Sequence, residues 1–187
     1  VTGVAVLADG ILSALLVVFV RDILGGGAAA LGWVLTARGV GGLIGGLLLG
    51  SLGQHAQPAR LLTVCLAVFG VLLLVTFNMP TVSVVLVLIT LVGVAAAGWQ
   101  ISIQAFLQSS VADEYRGRIF GSFGTLTALV GLIGMGLAGA LAEYVGALPL
   151  LDLSAALNLV AAALALVLLA RPRSVARRNV HNQKAQI

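Results

Sequence analysis

Asp9 and Arg38 are the two charged residues that stand inside long apolar runs. A charge at mid-bilayer costs about 3 kcal/mol on insertion scales, so an intramembrane ionisable group faces a partner or an aqueous cavity. Asp9 lies 12 positions before Arg21, and Arg38 lies 10 positions after Ala28, where the next run begins. At about 1.5 Å per helical residue, both reach a similar depth near the middle of a membrane. The spacing predicts that they pair or share one cavity, and that the Asp9 carboxylate takes up a proton when the pair opens. The alternative is a fixed structural ion pair.

Two further groups could act with them. Gln100, Gln104 and Gln108 recur every four residues, which places them in one polar stripe on a helix. Gln100 and Gln104 fall deep enough to line a cavity, and Trp99 beside them offers an aromatic plane to an apolar or cationic ligand. The competing role is interhelical hydrogen bonding, with Trp99 as an interface anchor. The third group is Asp113, Glu114, Arg116 and Arg118, four charges within six positions in a chain where 9% of residues are charged. Flanked by apolar runs, this cluster belongs in water or among headgroups, either as a solvated connector or as a gate element.

Enzymatic chemistry finds no support. His55 and His181 fall in a connector and in the tail, with no Ser, Cys or second His at triad or metal spacing. The chain therefore reads as a non-enzyme that needs no cofactor or metal.

The elements that must hold these residues follow from composition. Apolar residues make up 60% of the 187, and the mean hydropathy is +1.17, which excludes a water-soluble domain. The runs are continuous, not alternating, which excludes a membrane barrel. Six spans are predicted at about 1–20, 28–52, 61–77, 81–107, 119–141 and 150–170, forming one bundle over 1–170 with a basic tail at 171–187. Each is near or above the roughly 20 residues that cross the hydrocarbon core, the third being the shortest. The first run begins without a polar flank, which points to a chain cut from something longer. Cys65 is the one cysteine and lies within a span, so no intrachain disulfide is possible.

Six spans put both ends on one side. The loops and tail on that side carry Arg60, Arg116, Arg118, Arg171, Arg173, Arg177, Arg178 and Lys184, against Arg21 alone on the other. The bias predicts a multi-pass protein of the plasma (inner) membrane with both ends cytoplasmic. It also explains the net charge of +4 without nucleic acid, and the tail reads as a disordered anchor on anionic headgroups.

Gly42–Leu52 (GLIGGLLLGSL) and Gly131–Leu141 (GLIGMGLAGAL) match at an offset of 89 residues. They fall in the second and fifth spans, the middle helices of two three-helix units. An odd number of spans per unit makes the copies run oppositely, the inverted-repeat plan of secondary transporters. The glycines at 39, 42, 46 and 50, with 41 and 45, and at 131, 134, 136 and 139 have small-xxx-small spacing suited to close helix packing.

The segment DEYRGRIFG, Asp113 to Gly121, resembles the Asp-Glu-x-Arg-Gly-Arg-hydrophobic-x-Gly loop of major facilitator superfamily exporters, in the drug–proton antiporter branch that includes macrolide and siderophore exporters. LGWVLTARGVGGLIGGLLLGSLG, Leu31 to Gly53, resembles the Gly-rich second helix of the C-terminal half of such proteins. The connector at 50–60 is similar to their Gly-x-x-x-Asp-Arg motif, with Gln54 at the acidic position. The resemblance implies an all-α polytopic membrane protein forming the C-terminal six of twelve helices. It implies alternating access against a missing N-terminal six-helix half, with protons entering as a small hydrophobic or amphipathic molecule leaves. In that fold the first, second, fourth and fifth helices here face the cavity, and Arg116 and Arg118 clamp the cytoplasmic side. The alternative is a self-contained six-span chain acting as a homo-oligomeric channel or a non-transporting remnant.

Overall fold

The computed structural model describes residues 1–52, 58–79, 81–110 and 115–169. Its elements are α1 (Thr2–Val18), continued by a π-helical turn (Phe19–Ile23), then α2 (Ala28–Leu52), α3 (Pro58–Phe77), α4 (Val82–Ser110), α5 (Arg116–Val145) and α6 (Ala147–Leu169). Among the described residues there is no strand, and all six helices are long and apolar enough to cross a membrane. The chain is an all-α, multi-pass membrane protein.

Local chemistry sets several of the boundaries. Pro58 opens α3, where a missing N–H costs nothing because first-turn donors have no helical partner. Gly146 ends α5 at φ +87°, a conformation that disfavours side chains, and its N–H donates to the Ala142 carbonyl at 3.0 Å. One residue thus separates α5 from α6. The run containing Arg21 and Asp22 does not stop at those charges. The Leu24 N–H reaches back five residues to the Phe19 carbonyl at 3.1 Å, and the Gly26 N–H reaches the Val20 carbonyl at 2.9 Å. The widened turn carries Arg21 and Asp22 as an exposed pair, 3.7 Å apart, and leads into Gly25 at φ +61°. Phe19 on this turn is buried edge-on against Phe77 of α3, ring centroids 5.2 Å apart. Phe19→Ala should destabilise the fold by about 3 kcal/mol, read as a lowered unfolding midpoint in detergent.

The packing has an internal symmetry. α1 packs against α5 and α6, α4 packs against α2 and α3, and α3 meets α6 between the two groups. Exchanging α1 with α4, α2 with α5 and α3 with α6 leaves this pattern unchanged, as an inverted repeat requires. Each group of three is built from both repeats, because the middle helix of each unit packs on the first helix of the other.

Glycine makes those crossings close. A methyl group on Gly41 of α2 would meet the Thr90 carbonyl of α4, and one on Gly45 would meet the backbone of Val94. In the related position, one on Gly134 of α5 would meet the Leu7 carbonyl of α1, and Gly10 faces the Gly131 carbonyl. Gly45 and Gly134 differ by the 89-residue offset of the sequence repeat. Backbones approach this closely where lipid supplies no hydrophobic drive and van der Waals contact holds helices together. The glycines at 39, 42, 46, 50, 136 and 139 have nothing within 4 Å of such a methyl group. The sequence offers more than one small-residue stripe on each helix, and only one stripe of each meets a neighbour.

The core forms two clusters. The larger centres on Leu12, Leu15, Phe19, Phe69, Leu73, Ile89 and Leu151; the smaller holds Ala5, Cys65, Leu66, Trp99, Ile103, Ala161 and Ala162. The middle helices contribute least, with Val34 of α2 and Ala138 of α5 as their buried members of the larger cluster. Their spans are 17% (α2) and 11% (α5) buried, against 39–50% for the other four.

Candidate functional site

Arg38 comes from α2 and Asp9 from α1, two helices with no extended packing between them. The Arg38 Nη2 donates to Asp9 Oδ1 at 3.1 Å, so the long guanidinium side chain spans the gap. The pair is neither sealed nor free, with side chains 27% and 33% exposed. Asp9 Oδ2 has no hydrogen-bond partner among the described residues, so the carboxylate keeps one oxygen for proton or ligand. The structure thus brings these two residues together.

Asp9 also lines a half-open cavity of about 430 Å³ bordered by α1, α4 and α5. Thr2, Val6, Gly10 and Ser13 contribute from α1, Trp99, Gln100 and Ile103 from α4, and Phe123, Thr127, Gly131 and Met135 from α5. The lining reaches no further than Ser13 along α1 and Met135 along α5, so the cavity occupies mainly the half of the bundle nearer the chain ends. α2 contributes to it only indirectly, through Arg38 on Asp9.

Gln100 lines the cavity, whereas Gln104 is exposed on α4 and is not among its lining residues. A four-residue step on an α-helix overshoots a full turn by about 40°. Each glutamine in the stripe is therefore rotated away from the one before, and Gln104 leaves the concave wall. Trp99 differs from the expectation as well. It is 6% exposed, tilted against Phe69 with ring centroids 6.1 Å apart, and sits in the core cluster with Cys65 and Leu66. Its ring packs the back of the cavity and offers no open aromatic plane, and Nε1 has no hydrogen-bond partner among the described residues.

The expected gate is only partly described. Asp113 and Glu114 lie outside the described residues, as do Gln54, His55 and the tail from Arg171 to Ile187. Arg116 begins α5, and Arg118 two positions later is exposed. The Arg118 carbonyl accepts a 2.8 Å hydrogen bond from Ser122 Oγ.

The resemblance set the fifth helix against the cavity, but sequence reasoning named no α5 residue as part of its lining. Phe123, Thr127 and Met135 line the cavity beside Gly131. The signal was present: stepping three or four residues either way from Gly131, whose glycine stripe was recognised, reaches Thr127 and Met135, and one step further reaches Phe123. Thr127 directs its hydroxyl to the carbonyls of Phe123 and Gly124, both at 2.9 Å, which leaves α5 internally satisfied at this wall.

Two opposed three-helix units beside a cavity that carries an ion pair fit the inverted-repeat design of secondary membrane transporters. Residues 1–186 match the Major Facilitator Superfamily, and the chain belongs to that family. Over 116 residues it is 30% identical to the multidrug efflux pump Tap of Mycolicibacterium fortuitum, a match covering 62% of this chain and 28% of that protein. The pump of the same name from Mycobacterium tuberculosis is 29% identical over the same length and shares. The aligned stretch thus spans little more than a quarter of these relatives. No solved structure matches the chain.

Proposed function

We propose that this chain is the C-terminal half of a proton-coupled exporter of small hydrophobic or amphipathic molecules, working by alternating access. The observation that carries the reading is a carboxylate within a membrane-length helix, half engaged by Arg38, on the wall of a cavity in a major facilitator protein. A carboxylate held by one oxygen can exchange its arginine for a proton, and the two states differ by one charge inside low-dielectric surroundings. That difference is the quantity a proton gradient acts on. The relatives named as multidrug efflux pumps support export as the direction.

In this reading the cavity wall is Asp9, Trp99, Gln100 and the α5 residues Phe123, Thr127 and Met135. The second wall is the missing N-terminal six-helix half, docked on the exposed faces of α2 and α5. Their low burial and their open glycine stripes support that placement. Both chain ends are cytoplasmic in the plasma membrane, by the charge bias across loops. Asp113, Glu114, Arg116 and Arg118 close the cytoplasmic side against the other half.

The test is efflux of a fluorescent amphipathic dye from cells expressing the whole transporter. An imposed gradient, acid outside, should accelerate efflux, and a protonophore should abolish the acceleration. Efflux that continues unchanged after the pH gradient and membrane potential collapse would remove proton coupling.

A further inference from the structure

α2 and α3 follow one another in sequence but make no extended contact, because each packs on α4. The gap between them is a groove of about 280 Å³. Ala95 of α4 helps form its floor, Leu49 of α2 bounds one side, and Val64, Val68 and Leu72 of α3 form the other. Every lining residue is apolar or, at Cys65, a thiol, and the lining lies within helices that cross the membrane. The three α3 residues recur every fourth position, and the same step toward the chain-end side reaches Arg60. Arg60 is exposed and has no ion-pair or hydrogen-bond partner among the described residues. A cation therefore stands one helical turn beyond Val64 toward the chain ends, rotated by about 40° from it, within reach of the mouth of the apolar trough through its long side chain.

We propose that this groove seats one acyl chain of an anionic phospholipid whose phosphate is held by Arg60. A chain in the trough touches protein on three sides, whereas a bulk lipid touches a helix on one, so dispersion contacts favour the seat. The single positive charge above it selects a negative headgroup, since a basic residue near an anionic lipid surface supplies a factor of about five in affinity. Water and water-soluble peptides are excluded by depth and by the absence of polar groups in the lining. The site stands on the opposite side of α4 from the Asp9 cavity and does not depend on what that cavity transports.

Trp99 provides the reporter, because it packs in one cluster with Cys65, whose side chain lines the groove. Cys65 lies five residues, or about 8 Å, below Arg60. Of the two tryptophans, Trp33 is 66% exposed and Trp99 is 6% exposed, so bulk lipid reaches Trp99 poorly. The full chain carrying Trp33→Phe is placed in phosphatidylcholine vesicles with a minor fraction of phosphatidylglycerol brominated in the upper part of its chains. Brominated phosphatidylcholine at the same fraction is the comparison. The expected result is stronger quenching by the glycerol lipid, equivalent to about fivefold tighter binding. Adding Arg60→Gln should bring quenching down to the phosphatidylcholine level, and adding Val68→Phe should lower it for both lipids by filling the trough. Equal quenching by the two headgroups, a preference that survives Arg60→Gln, or quenching indifferent to Val68→Phe would each overturn the proposal. A cross-link between two copies through position 68 in native membranes would assign the groove to a second chain and overturn it as well.

Discussion

Asp9→Asn should abolish proton-driven efflux by the whole transporter while leaving the protein inserted and folded. The substitution keeps the side chain's size and its ability to accept from Arg38, but removes the ionisable carboxylate on which the proposed coupling rests. Its structural cost is modest. Breaking a fully buried ion pair costs about 3–5 kcal/mol, but these side chains are 33% and 27% exposed, so about 1 kcal/mol is expected. Activity and stability therefore separate. Dye efflux should fall to the level of cells lacking the transporter, with the unfolding midpoint shifted by a few degrees. Asp9→Glu, which restores a carboxylate on a longer stem, should recover part of the activity. Full gradient-driven efflux by Asp9→Asn would reduce the pair to a structural clamp.

The second large effect concerns folding and comes from the helix crossings. Gly41→Val places side-chain atoms where the Thr90 carbonyl stands, and Gly134→Val does the same against Leu7. Neighbouring backbone cannot move aside as a side-chain tip can, so α2 must separate from α4, or α5 from α1. About 3 kcal/mol or more of destabilisation is expected from each, seen as loss of a monodisperse peak on size-exclusion chromatography. Gly42→Val and Gly136→Val are the controls, because nothing lies within 4 Å of a methyl group there. These should fold, and in the proposed arrangement, where the two open stripes meet the other half, they should impair transport only in the whole protein. Equal behaviour of Gly41→Val and Gly42→Val would show that the close crossing of α2 and α4 does not hold the fold.

The sequence carried the fold far because membrane insertion reads the same features that an observer reads. Long apolar runs with breakers at Gly25, Pro58 and Gly146 leave little choice but six helices, and the 89-residue echo between Gly45 and Gly134 pointed to opposed units. The depth count that set Asp9 level with Arg38 succeeded because rise per residue is nearly constant along a helix. Rotation was harder. Whether a residue faces a cavity depends on azimuth, which drifts by about 40° for each four-residue step and depends on which neighbour packs where. That is why Gln104 and the open plane of Trp99 were misplaced, and why Gly41 and Gly45, not Gly42 and Gly46, carry the contact. The π turn at Phe19 left no recognisable signature in composition. Its one-residue excess is a local adjustment that allows Phe19 to reach Phe77.

The interleaving of the two units has a consequence for how the protein is made. Synthesis delivers α1 to the bilayer long before α5 and α6, the helices it packs against, have left the ribosome. Throughout that interval its carboxylate would sit in lipid without a counter-charge, were it not that Arg38 follows only 29 residues behind. The ion pair is thus among the earliest bonds α1 can make with a later helix, and the glycine crossing with α5 is among the last. The same bond thereby shelters α1 while the helices it packs against are still being written.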